Sequence, residues 1–361
     1  MKQEKKMKKI GLKATAVALA LGLAVAGMTP ASAAGALSGG GASFQADFAT
    51  KCLARFNTAG VKVNKGITVS YANVGSGAGR TGLGNGTYAF AGTDGLGTSG
   101  TLTAANSVYF PVTGAPMAVF INLKSSTNTK ITALRLDAPT IEGIFTGRID
   151  MWNDNAIKAL NPAIKLPALA ITTVTRSDKS GTTGNFKSYL KQNVPGSALV
   201  AANEFPDGFA QDVPSNTSPV LVANVAAANG RIGYADLSDV TSAVTKVSVK
   251  NKYGEFILPT TTAAANYLKA TGVLTSKVDA SISVNGGMYN VDFTKSVKGA
   301  YQISFITYMA GNKSLDNTDL KVYANYVLTK CAPNPGSITA TGYTTIGAAL
   351  IKVAQAQVAK L

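Results

Sequence analysis

The chain is 361 residues long and carries 34 Lys and Arg against 18 Asp and Glu, a formal net charge of +16, with no histidine, two cysteines and one tryptophan. The missing histidine excludes Ser-His-Asp and Cys-His triads, histidine-ligated zinc and imidazole acid–base chemistry, and with them most ordinary hydrolases. Charged residues are 14% of the chain, against about 25% in a typical soluble domain, and the length suits two domains or one large one with an ample core.

Residues 1–33 read as a signal peptide. A lysine-rich start (Lys2, Lys5, Lys6, Lys8, Lys9, Lys13) precedes an apolar run over 14–28, and Ala31-Ser32-Ala33 forms a small-x-small cleavage site. The apolar run falls short of the roughly 20 residues that span a bilayer, and no cysteine follows it to carry a lipid anchor. The expected product is periplasmic or secreted, with 328 residues and a charge of about +11 once six lysines and Glu4 are removed. That charge favours anions. The remaining lysines are scattered singly, with no basic stripe or aromatic RNP-like run, so nucleic acid is not the expected partner.

Along the mature chain, Phe44, Phe48, Cys52, Leu53 and Phe56 recur at helical spacing and predict an amphipathic helix over about 45–58, opened by Gly39-Gly40-Gly41-Ala42-Ser43. Ile67-Thr68-Val69-Ser70-Tyr71 alternates like a strand and runs into the glycine-rich stretch 73–79. Tyr109-Phe110-Pro111-Val112 and Met117-Ala118-Val119-Phe120-Ile121-Asn122 predict a buried crossing strand. A β-branched run over 170–174 leads into Thr175-Arg176-Ser177-Asp178-Lys179-Ser180-Gly181-Thr182-Thr183, after which Phe186, Tyr189 and Leu190 mark a helix. Residues 205–224 are weakly patterned and read as loop, 232–234 and 301–308 as strands, and 346–361 as a closing helix. The alternation implies an α/β architecture. In an oxidising compartment Cys52 and Cys331, 279 positions apart, are expected to pair, two buried free thiols being the alternative.

Three of these segments share one design, a Gly/Ser/Thr loop that opens a helix. Helix N-termini present unpaired N–H groups and a partial positive charge, so three that converge would hold a tetrahedral oxyanion with few cations. Each alone fits an ordinary helix cap; Arg176 and Asp94 make the set specific.

The order of Gly41-Ala42-Ser43-Phe44, Val74-Gly75-Ser76-Gly77, Phe90-Ala91-Gly92-Thr93-Asp94 and Arg176-Ser177-Asp178-Lys179-Ser180-Gly181-Thr182-Thr183 resembles that in the periplasmic phosphate-binding proteins of ABC phosphate importers, the PstS-type family. Further similar text lies at 145–154, 160–162 and 230–234, and the resemblance weakens beyond Tyr234. It implies a two-lobed class II periplasmic-binding-protein fold with crossing hinge strands, lobe I spanning 34–116 plus 300–361 and lobe II spanning 117–299. It also implies a monomeric, non-enzymatic carrier that needs no cofactor or metal and hands inorganic phosphate to an ABC permease and its ATPase. Carried over residue by residue, the phosphate contacts are Ser43, Phe44, Ser76, Asp94, Arg176, Ser180, Gly181 and Thr182, with Asp178 orienting Arg176. Three departures from the family pattern are Gln45, Thr175 and Ser215-Asn216-Thr217-Ser218-Pro219, and Arg80 is an extra cation, expected at the cleft mouth or in solvent.

The roles follow from chemistry. The Arg176 guanidinium is a planar donor fork suited to two phosphate oxygens. A carboxylate at 94 repels an anion unless the ligand brings a proton to share, which phosphate does near neutral pH and sulfate does not. Competing readings are a binding protein of this fold for arsenate, sulfate or molybdate, and a scaffold without transport. An enzyme has one foothold, Ser188-Tyr189-Leu190-Lys191, without the companion motifs of Ser-x-x-Lys enzymes, and Gly311-Asn312-Lys313-Ser314 lacks P-loop spacing.

Overall fold

The computed structural model describes residues 35–200, 202–205 and 212–361, so the leader expected over 1–33 lies outside the described residues. The chain opens with β1 (Ala36–Gly41), α1 (Ser43–Asn57), α2 (Val61–Asn64), β2 (Thr68–Asn73), α3 (Ser76–Gly84), β3 (Phe90–Thr93) and the long β4 (Ser107–Asn122). Then come β5 (Arg135–Leu136), α4 (Ala138–Phe145), α5 (Asn155–Leu160), β6 (Thr172–Arg176), α6 (Gly181–Asn193), β7 (Asp212–Ser215), α7 (Ser218–Ala226) and β8 (Arg231–Asp236). It ends with β9 (Thr245–Lys246), β10 (Ser248–Lys250), β11 (Phe256–Ile257), α8 (Thr261–Leu268), β12 (Leu274–Asp279), β13 (Ser283–Val291), β14 (Ser304–Asn312), α9 (Thr318–Tyr326) and α10 (Gly347–Val358).

One sheet runs in the order β2-β1-β3-β14-β4-β8-β6-β7, with β9 also on β4. β4 joins its two halves: Ser107–Pro116 pairs antiparallel with β14, and Met117–Asn122 pairs antiparallel with β8. The two apolar runs seen in the sequence are therefore one strand, buried from Ser107 to Ile121, which is why it shows no in–out alternation. Its prolines sit where ladder bonds are dispensable. Pro111 lies at a register shift against β14, and Pro116 at the change of partner from β14 to β8.

Outside this crossing the halves are parallel, β2-β1-β3 on one side and β7-β6-β8 on the other. Parallel strands need crossover helices, and the carboxyl ends of such strands with the helix starts that follow them are where α/β proteins bind ligands.

The expected helix is α1, whose Phe44, Phe48, Cys52 and Phe56 form a buried stripe. Cys52 is disulfide-bonded to Cys331, tying α1 to the segment after α9, and Phe56 packs edge-on against Tyr323 and Tyr326 of α9. Two expectations need correction. The segment 205–224 is not all loop: it contains β7 and the start of α7, which opens with Thr217 at its cap and Pro219 in its first turn, a signature hidden by polar composition. The β12–β13 hairpin, unforeseen in the sequence, packs on the first part of β4, with Ser283 Oγ donating to the Ser107 carbonyl at 2.7 Å. Ser188 and Lys191 lie on α6, Phe186, Tyr189 and Leu190 facing the core.

Candidate functional site

Three strand-to-helix turns end at one place. β1 leads into α1 at Ser43, β2 into α3 at Ser76, and β6 into α6 at Gly181 with Ser180 as its cap. The first-turn N–H groups of these helices have no intrahelical partner and give the site its positive potential. Ser43, Phe44, Ser76, Ser180 and Thr182 are all buried. The Phe44 ring belongs to the core, stacked on Phe305 at 4.3 Å, and its carbonyl accepts from the Tyr343 hydroxyl at 2.7 Å, so only its main-chain N–H, next to Ser43 in the first turn of α1, is left for a ligand.

Two glycines permit the close approach of the halves. Gly75, at φ +85°, caps α3, and a Cβ there would lie 2.2 Å from Asp178 Oδ2. A Cβ at Gly181 would lie 2.3 Å from the Gly95 nitrogen. Across this seam the Gly77 N–H donates to the Lys179 carbonyl at 3.0 Å, and Asn185 Nδ2 to the Asp94 carbonyl at 3.1 Å.

Asp94, directly after β3, is the meeting point. Its N–H donates to Ser76 Oγ at 3.2 Å, its Oδ1 accepts from Thr307 of β14 at 2.7 Å, and its Oδ2 accepts from Thr182 of α6 at 3.4 Å. Burial pushes its carboxyl up to about 7 and nearby Asp236 adds to the rise, against the Thr307 hydrogen bond, the Arg176 charge and the Thr182 hydrogen bond. The group thus balances between donor and acceptor near neutral pH.

Arg176, at the end of β6 and 2% exposed, is gripped by Asp178 through Nε at 2.6 Å and Nη2 at 2.7 Å, the pairing expected from the sequence. Its Nη1 donates to Ser218 Oγ at 3.1 Å. The bidentate pair fixes the guanidinium plane, and because Nη1 also donates to Ser218 and Nη2 to the Asn216 carbonyl at 3.5 Å, one guanidinium N–H is left over for an anion rather than the two-pronged fork expected from the sequence.

Arg80 is neither at a cleft mouth nor solvated. It is 6% exposed, and Nη1 donates to Thr93 Oγ1 at 2.8 Å and to the Gly95 carbonyl at 2.5 Å, bracing the two residues that flank Asp94.

The structure therefore brings together Ser43, Ser76, Asp94, Arg176, Asp178, Gly181 and Thr182 with the Phe44 main chain, Ser180 capping α6. Sequence reasoning missed Thr307, Asn185, Ser218 and Asp236. Thr307 and Asp236 sit in apolar strands far along the chain, and only the Thr217-Ser218-Pro219 helix start carried a local signal. Asp94, Gly95 and Gly181 also border a neighbouring cavity of about 300 Å³, walled by α6 and β13.

Comparison with known proteins bears on the family and the fold that carry these residues. A family model described as the PBP superfamily domain matches residues 27–330. A curated phosphate-binding protein PstS of Xylella fastidiosa is 32% identical over 231 residues, 62% of this chain and 59% of that protein. PstS 3 of Mycobacterium leprae is 36% identical over 160 residues, 43% of this chain and 41% of that protein. The matched regions thus span about three fifths or less of the length of these relatives. Among solved structures, a phosphate-binding protein from Stenotrophomonas maltophilia superposes with a TM-score of 0.65 at 20% identity, covering 89% of this chain and 93% of that one. A substrate-binding protein from Clostridium perfringens described as a phosphate ABC transporter component with bound phosphate gives 0.57 at 15% identity, over 86% and 100%. At those identities the structures speak for the fold alone. A family model matched over residues 27–330, on a sheet whose two parallel halves join at β4, places the chain in the PBP superfamily, with its two-lobed periplasmic-binding-protein fold.

Proposed function

We propose that this chain is an exported inorganic phosphate-binding protein that closes two lobes on its ligand and passes it to an ABC permease and its ATPase. The observation that carries this reading is Asp94: a buried carboxyl within hydrogen-bonding reach of Thr182 and Thr307, next to the Ser76 helix start, in the field of Arg176. In its ionised form this group accepts a proton held by the ligand and turns away a ligand that has none, leaving two acceptors face to face. Phosphate fits and sulfate does not.

In this account the N–H groups at Ser43, Phe44, Gly181 and Thr182 and the Ser43, Ser76, Ser180 and Thr182 hydroxyls take up phosphate oxygens, Arg176 neutralises charge, and Asp178 holds Arg176 in plane. The lobes are 34–116 with 300–361, and 117–299, meeting where β4 changes partner and where the β12–β13 hairpin packs back on the first part of β4. Export is supported by the lysine-rich leader and the disulfide. PstS relatives support delivery to an importer. Arsenate is protonated and nearly isosteric with phosphate, so Asp94 does not separate those two by charge.

Titration calorimetry of the anion-stripped chain near neutral pH tests the reading. Tight phosphate binding with no sulfate binding is the expected result. No phosphate binding after thorough stripping would overturn it.

A further inference from the structure

Asp236 ends β8 fully buried, and its two oxygens have different surroundings. Oδ1 accepts from the Ser218 hydroxyl at 2.8 Å, while buried Oδ2 meets no donor. Ser218, at the start of α7, in turn accepts from Arg176 Nη1 at 3.1 Å and lies 3.5 Å from Ser43 Oγ in the other half of the site. The guanidinium is therefore held on two sides, by Asp178 directly and by Asp236 through a hydroxyl. Three residues on, Asp239 brings a second carboxyl within hydrogen-bonding reach of Asp236, and its own buried Oδ2 also lacks a donor. Two carboxylates only accept, so the contact requires a proton between them.

We propose that Asp236 is a positioning residue that acts on Arg176 through Ser218, and that the Asp236–Asp239 pair keeps one shared proton whenever the cleft holds a dianion. This deepens the phosphate reading and rests on it. The charged and titratable groups facing the pair are Asp47 of α1, Asp94 after β3, Arg176 at the end of β6 and the Tyr343 phenol before α10. Arg176 alone among them is a cation. A fully ionised pair would set a second uncompensated charge beside an incoming dianion and compete with it for that one guanidinium. Burial, and after it the Asp236 carboxyl, raise the Asp239 proton affinity, which keeps the proton in place through neutral pH.

The test is phosphate calorimetry of the whole chain at about pH 8.5 and about pH 11, between which phosphate stays a dianion, Asp94 stays ionised and the Asp239 carboxyl, pushed up to about 10, gives up its proton. Wild type is expected to weaken at least about tenfold at the higher pH. Asp239→Asn, whose amide donates where the shared proton did, is expected to change by less than about threefold between the two. Ser218→Ala and Asp236→Asn are expected to weaken phosphate about tenfold at the lower pH by loosening Arg176. Folding of each variant is checked by its thermal melt; should Asp236→Asn not fold, the other two carry the test. An alkaline loss of equal size in wild type and Asp239→Asn overturns the shared proton. Folded Ser218→Ala that binds like wild type overturns the positioning role. A wild type that binds no phosphate at any pH takes both the inference and the reading beneath it down.

Discussion

The two half-sheets contribute to the site by opposite means. The β2-β1-β3 half supplies uncharged groups, the main chain and hydroxyls at Ser43 and Ser76, and one carboxyl, Asp94, poised between its two protonation states. The β7-β6-β8 half supplies the α6 start at Gly181 and Thr182 and adds the positive formal charge, a buried arginine clamped by Asp178 and reached by Asp236 through Ser218. A fixed cation attracts any anion, whereas a neutral surface with one proton-sensitive group tells anions apart. The division therefore separates attraction from selection.

The largest way to break this comparison is Arg176→Ala. It strips the cation from its half and strands the Asp178 charge, so phosphate affinity is expected to fall by about 10³, roughly 4 kcal/mol, in a calorimetric titration. A smaller loss would mean that helix N-termini supply most of the attraction.

Next comes the titration of Asp94 in the anion-free chain. Its folded-state value of about 7 lies above the ordinary 3.8. The folded state therefore holds the proton more tightly than the unfolded one, and stability falls as pH rises from about 4 to about 7, by on the order of a few kcal/mol. Melting temperatures of wild type and Asp94→Asn across that range measure it, and the variant is expected to lack this part of the slope.

Replacing Cys52 and Cys331 together by serine should lower stability by about 2–5 kcal/mol. Cys52 lies about two and a half turns into α1 from Ser43, so phosphate affinity should stay within about threefold, separating the scaffold of the first half from its chemistry. The smallest effect sharpens the seam between the halves. Gly75→Ala forces a side chain into a glycine-favoured conformation and against Asp178 Oδ2, at about 1–3 kcal/mol in stability and about tenfold in affinity. Denaturant melts and calorimetry together check it.

How much of this was legible in the sequence follows the same division. The glycine-rich turns at 41, 75 and 92, the Arg176–Asp178 spacing and the α1 stripe are local patterns, and local patterns survive in a linear reading. The Cys52–Cys331 pairing was accessible from compartment and count. What the sequence hid is what the fold assembles from afar. Thr307 reaches Asp94 across 213 positions, and Asp236 reaches Arg176 only through Ser218. Ser218 itself sat in a polar stretch read as loop, although Thr217 and Pro219 announce a helix start. Arg80 was misplaced because a lone arginine after a glycine turn reads as exposed; its burial depends on acceptors at Thr93 and Gly95, supplied by the next strand.

Selection between anions turns on Asp94 accepting a proton from the ligand, and the most direct measurement is the ratio of phosphate to sulfate affinity in wild type and in Asp94→Asn. An asparagine amide donates to a ligand that has no proton and no longer requires one that has. The ratio is therefore expected to collapse by at least about 100-fold, phosphate weakening while sulfate becomes measurable. A variant that still binds phosphate and refuses sulfate as wild type does would contradict the account.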